Sequence, residues 1–121
     1  MTGLTVEGWD AFRRRISSDA IAEKGSQGAL FALFEVYRRL DTADRAVVER
    51  WMGGEGLLGE EVDRFDAIAM IREFRAVSAL AGLRKLEDRL VGIASPGAPF
   101  ERAKVGRLIA YLERGSRDEG G

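Results

Sequence analysis

Four carboxylates fall within seven residues at Glu60, Glu61, Asp63 and Asp66. Carboxylates this close can ligate a divalent cation or divide acid and base roles between them. They also sit where a helical pattern begins, and the positive end of a helix dipole attracts acids without any ligand. The helix-start role is preferred. The preceding stretch "GGEGLLG", Gly53–Gly59, is glycine-rich ahead of a helix, as phosphate loops are. It lacks the Lys-Ser/Thr pair of a P-loop and the order G-x-G-x-x-G, so it reads as a linker. Serine occurs only at 17, 18, 26, 78, 95 and 116, and the chain has no histidine and no cysteine. A Ser-His-acid triad, a thiolate metal site and a disulfide are therefore excluded. Ser78 lies in a helix's first turn, where capping is its role. The chain reads as a non-enzyme with no catalytic, cofactor or metal residue assigned.

Charge offers a second route to function. Arginine outnumbers lysine 16 to 3, while the net charge is −1. No global field favours nucleic acid or an anionic membrane, and a G+C-rich genome explains the arginine bias. Arg38, Arg39, Arg45 and Arg50 are interleaved with Glu35, Asp41, Asp44 and Glu49, the pattern of a solvated face with i,i+4 pairs such as Glu35–Arg39. Arg13, Arg14 and Arg15 lack such an arrangement and form the best basic patch. An apolar candidate lies at Trp51, Met52, Leu57 and Leu58, beside the glycine-rich stretch. An aromatic, a Met and two leucines near a mobile segment suit a protein-binding patch. They suit a core edge equally.

The elements that would position these residues are all helical. Strand alternation is nearly absent, and Ala, Leu, Arg and Glu dominate. Hydrophobic residues make up 45% and charged residues 32% of 121 residues, a globular composition for one domain over 1–121. About six helices are predicted. The first starts after Thr5, with Trp9, Phe12 and Ile16 as its stripe; "SSD" at Ser17–Asp19 is a point of interruption or recapping, with Ala20 and Ile21 continuing to Glu23. "KGSQG", Lys24–Gly28, is a loop. The second covers Ala29–Leu40 on Leu30, Leu33, Phe34 and Tyr37, with Phe31 off the stripe as a candidate homodimer contact. The third is capped by Asp41, with Asp44 at N3. The fourth covers about Glu60–Arg75, with Val62, Phe65, Ile68, Ala69, Ile71 and Phe74 as its apolar side. The fifth covers about Val77–Ile93. "ASPGAP", Ala94–Pro99, is a turn, and the sixth helix covers about Phe100–Arg114. Residues 115–121 are expected to fray. No apolar run approaches the roughly 20 residues that span a bilayer, and the charged start is unlike a secretory signal. A cytoplasmic protein without a membrane partner is expected.

An internal repeat emerges on sliding the chain against itself. At an offset of 50, "ALFALFEVYRRL" (29–40) falls on "ALAGLRKLEDRL" (79–90). At an offset of 38, "RFDAIAMIREF" (64–74) falls on "RAKVGRLIAYL" (102–112). With the abrupt helix-to-helix junction in "RFDAIAMIREFRAVSALAGLRKLEDRL", this pattern resembles HEAT and armadillo-type α-solenoid repeats over about residues 28–114. The chain departs from them in lacking a proline at the "RAVSAL" turn and in holding barely two units. The resemblance implies a short helical-repeat array, with the Trp9 helix as a cap; a compact helical bundle is the alternative. It further implies a non-enzymatic protein-binding module, in its sharpest form a bacterial immunity protein that neutralises a toxin. The alternative is nucleic-acid binding through Arg13–Arg15 and Arg38–Arg50.

Overall fold

A computed structural model of the chain describes residues 3–120, apart from the side chains of residues 19–24, 26 and 115–120. Among the described residues the architecture is all-α. It comprises α1 (Val6–Arg39), α2 (Thr42–Gly53), α3 (Glu55–Leu58), α4 (Glu61–Phe74), a 3-10 turn (Val77–Ala79), α5 (Leu80–Val91) and α6 (Ala98–Gly120). None of these helices is long and apolar enough to cross a membrane. The chain divides into two compact units, Met1–Trp51 and Met52–Gly121.

In the first unit, the Thr5 hydroxyl accepts the Gly8 N–H at 3.0 Å and so caps α1. The loop predicted at Lys24–Gly28 contracts to one non-helical residue, Gly25 (φ 80°, ψ 178°), a conformation that glycine adopts without steric cost. Helix resumes at once, so the first two predicted helices are segments of α1. Asp41 starts α2 as predicted, its carboxylate accepting the Asp44 N–H at 2.8 Å. The α1–α2 junction is fastened by Arg45, which donates to the backbone carbonyls of Tyr37 and Arg38 while its guanidinium lies 5.4 Å from the Tyr37 ring. A helix end leaves such carbonyls short of N–H partners, and the Tyr37 carbonyl also accepts the Leu40 N–H at 3.1 Å.

The buried line of early α1 differs from the predicted one. Trp9, Arg13 and Ser17 are buried, one turn apart, whereas Phe12 and Ile16 are partly exposed. In the later half of α1, Leu33, Phe34 and Tyr37 are buried as the stripe predicts, and Phe31 is exposed. The Tyr37 hydroxyl donates to Glu49 Oε1 at 3.0 Å. Burial first, and then the Glu49 carboxylate, push the Tyr37 phenol up to about 12. An unfolded tyrosine titrates near 10. The folded value is the higher one, so this group's stabilisation is complete below about pH 10 and is lost as pH rises toward about 12. Tyr37→Phe should therefore flatten the decline in melting temperature between about pH 10 and about pH 12, read by circular dichroism.

In the second unit, α4 opens with a reciprocal capping box. Glu60 accepts from the Asp63 backbone, and Asp63 Oδ2 accepts the Glu60 N–H at 3.0 Å. The helix ends without glycine or proline because Arg75 takes the left-handed conformation (φ 51°, ψ 51°), and the Ala76 N–H closes on the Ile71 carbonyl at 3.1 Å. This is the abrupt junction in "FRAVSAL". The glycine-rich stretch folds into the single turn of α3, flanked by Gly54 and Gly59. The helical backbone of α6 runs to Gly120, while the side chains of the tail predicted to fray lie outside the described residues.

Side-chain pairs fix the directions of α4, α5 and α6. Arg84 pairs with Glu113, and Glu87 lies beside Gly106, so α5 and α6 run antiparallel. Arg64 pairs with Glu101, Lys104 sits over Phe65, and Arg75 sits over Tyr111, so α4 and α6 run parallel. These three pairs are separated by 37, 39 and 36 residues, close to the sequence offset of 38 that superposes the two segments. Within this unit, helices matched in sequence therefore lie side by side in matched register.

Candidate interaction groove

The sequence-derived candidates divide by burial. Trp51 and Met52 are 1% and 0% exposed, and Leu57 is likewise buried. Buried side chains offer a partner no surface, so these three belong to the core. Leu58 is exposed. Arg13, placed in the basic patch from sequence, is 0% exposed. Its guanidinium carbon lies 4.7 Å from the centre of the Trp51 ring, and Nη2 donates to Asp10 Oδ1 at 2.9 Å. The same oxygen accepts Trp51 Nε1–H at 3.2 Å, and Trp9 meets Trp51 edge to face at 6.2 Å. The long apolar stem of arginine is what allows this burial, given a carboxylate for the head group and an indole to stack upon.

Arg14 is exposed but pairs with Asp10 at 3.3 Å, leaving Arg15 as the solvent-facing cation of that run without a described partner. Arg38 pairs with Glu35 at 3.2 Å, Arg39 approaches it at 3.9 Å, and Arg45 is committed to backbone carbonyls. The basic patch predicted in the first unit is thus largely neutralised by its own neighbours. The acidic cluster is equally local: Glu60 and Asp63 form the capping box, and Asp63 and Asp66 are buried. Among the described residues no group of three or more His, Cys, Asp or Glu is placed to hold a metal ion.

The second unit holds a surface that the sequence reading did not single out. A recess of about 270 Å³ opens among α4, the end of α5 and the start of α6, with Ile68, Leu90, Ile93 and Ala98 among its lining. Phe65 and Phe100 also line it and are 44% and 79% exposed. Val62 and Phe65, predicted as core, face solvent because the buried side of α4 is Asp63, Ala67, Met70 and Ile71. One side of the recess is braced by Arg64, which donates Nε and Nη2 to the two oxygens of Glu101 at 2.6 and 3.0 Å and Nη1 to the Gly59 carbonyl at 3.0 Å. This two-point clamp ties α4 to α6, and the Glu101 hydrogen bond raises the Arg64 pKa above its ordinary value.

A second recess of about 310 Å³ continues along α4 and α6. Ile68 and Lys104 line both, so the two recesses adjoin and together make up a groove along α4 and α6, with Lys104 over the Phe65 ring. The groove's far half carries Arg72, Arg107 and Arg114 around Tyr111, and the Arg75 guanidinium, outside the lining, lies 5.0 Å from the centre of the Tyr111 ring. Residues 104, 107, 111 and 114 share one face of α6, and 68 and 72 one face of α4. Arg72, Arg75, Lys104, Arg107 and Arg114 form no ion pair among the described residues, and no carboxylate lines this half. One end of the groove is therefore aromatic and mostly apolar, and the other is cationic without counter-charge among the described residues.

Comparison with protein-family models, with curated proteins and with solved structures finds no match to this chain.

Proposed function

We propose that the chain is a non-enzymatic protein-interaction module of helical-repeat type that docks its partner in the α4–α6 groove. Phe100 carries this reading: a phenylalanine 79% exposed at the rim of an apolar recess. Covering such a side chain contributes about 1.5–3 kcal/mol, and aromatic anchors seated in pockets dominate interface energetics. Phe65 and Ile93 beside it enlarge the apolar surface a partner would cover. The parallel, register-matched α4 and α6 support the helical-repeat description, since repeats present grooves between equivalent helices. The solenoid resemblance implies toxin neutralisation in the cytoplasm as the sharpest form of this role, with a cognate toxin as partner.

The test uses the wild-type protein and Phe100→Asp as paired baits in lysate of the source cells, at moderate and high salt. Phe100 is exposed, so the variant should fold as the wild type does. The expected result is one protein retained by the wild type at high salt and at least about tenfold depleted on the variant, the loss of one buried anchor. Equal retention by both baits would remove the groove from the account.

The cations of the groove, without an ion pair among the described residues, favour a second reading, binding of single-stranded nucleic acid with bases stacked on the exposed aromatics. That reading requires affinity that falls steeply with salt. An unchanged oligonucleotide mobility at low salt would eliminate it.

A further inference from the structure

Resting on that reading, we infer that the groove's occupant is an amphipathic helical segment of another protein, apolar at one end and acidic at the other. Its apolar end seats at Phe65, Ile93 and Phe100, and its carboxylates lie along Arg72, Arg107 and Arg114. The cations of the far half share one face and have no carboxylate among that half's lining residues, so an anionic segment gains their field without displacing an internal partner. Arginine's planar fork suits carboxylates, which it binds through two parallel hydrogen bonds.

The apolar half decides between a protein and a nucleic acid. Phosphates recur along the whole length of a strand, so a strand filling the groove would bring them past the Phe65 end. There the lining is mostly apolar, and its charged groups balance, Glu61 and Glu101 against Arg64 and Lys104, with Glu101 held by Arg64. A polyanion meets no net positive charge there, whereas an apolar side chain is accepted by Ile68, Leu90 and Ala98. A protein segment can change character from apolar to acidic along its length, as the groove does. Phe100 and Arg114 stand on one helix, and at 1.5 Å per residue the groove is about 21 Å long. A helix of roughly four turns spans it.

The partner being unidentified, the probe is a displayed library of random 16-residue peptides selected against the intact protein. A parallel selection uses the triple variant Arg72→Glu, Arg107→Glu, Arg114→Glu, whose sites are exposed and outside the core. Selected peptides are then measured by fluorescence anisotropy on the wild type, on the triple variant and on Phe65→Ala/Phe100→Ala. The expected result is an enriched pattern of two apolar residues three or four apart followed or preceded by clustered Asp and Glu. Affinity should fall at least about tenfold on either variant, and the triple variant should enrich Lys and Arg where the wild type enriches acids. Peptides that need Phe65 and Phe100 but carry no acidic bias would overturn the inference while leaving the docking groove intact. Peptides indifferent to both variants would overturn the groove as well. A single-stranded 16-nucleotide DNA that binds more tightly than every selected peptide, and is lost on the triple variant, would replace the acidic helix by nucleic acid.

Discussion

Trp51→Ala should destabilise the first unit by about 3–5 kcal/mol, the range for truncating a buried tryptophan. Trp51 is 1% exposed, and three contacts depend on its ring: the edge-to-face contact with Trp9, the stack beneath Arg13 and the hydrogen bond to Asp10. Truncation opens a cavity and also bares one face of a buried guanidinium, which adds an electrostatic cost to the lost packing. Trp51→Phe keeps the stack but deletes the indole N–H, and should cost less than half as much. Chemical denaturation followed by circular dichroism separates the two. A Trp51→Ala protein as stable as the wild type would mean that Trp51 is a surface side chain, as a partner-binding role at this position requires.

Gly82→Ala is the second large effect, and it lies in the second unit. A methyl group at Gly82 would sit 1.9 Å from the Gly53 carbonyl oxygen and 2.9 Å from its carbon. Neither is the tip of a flexible side chain, so backbone must move to admit it. Overpacking typically costs about 1–3 kcal/mol, and a clash with backbone belongs at the upper end or beyond. Gly53 is itself confined, since a methyl there would lie 3.1 Å from the Ala79 Cα. The end of α2, the 3-10 turn and the start of α5 therefore meet through bare backbone. Alanine is normally the better helix former by about 1 kcal/mol. A destabilised Gly82→Ala would thus show that close approach outweighs propensity, and a stabilised one would show that α5 does not approach Gly53 as described. Thermal melts of both proteins decide this.

Features written locally in the chain were legible. Thr5 and Asp41 cap helices because a hydroxyl or carboxylate there reaches N–H groups three residues on, and the acids at 60–63 start α4 for the same reason. Arg13 was not legible. Periodicity places it one turn from Trp9, but an arginine is buried only if its charge finds a partner. Asp10 lies nearby in sequence, whereas Trp51 comes from another helix. Val62 and Phe65 misled for a related reason. The apolar set of α4 was wider than one helix face can bury, and only the packing of its neighbours decides which part remains exposed. That surplus was the trace of the recess. The cationic half joins arginines about 35 residues apart, each of which reads alone as an ordinary solvated residue. The offset of 38 that superposes the α4 and α6 segments was the one signal in the sequence of their parallel pairing.

The most direct test of the docking groove is site-specific photocrosslinking in the source cells. A photoreactive phenylalanine analogue replaces Phe100 in the second unit or, as a control, the exposed Phe31 in the first. The account predicts one adduct with a different protein from position 100, abolished by the Arg72→Glu, Arg107→Glu, Arg114→Glu background, and none from position 31. An adduct from position 31 alone, or a product of twice the chain's own mass from either position, would contradict it and place the interaction surface elsewhere.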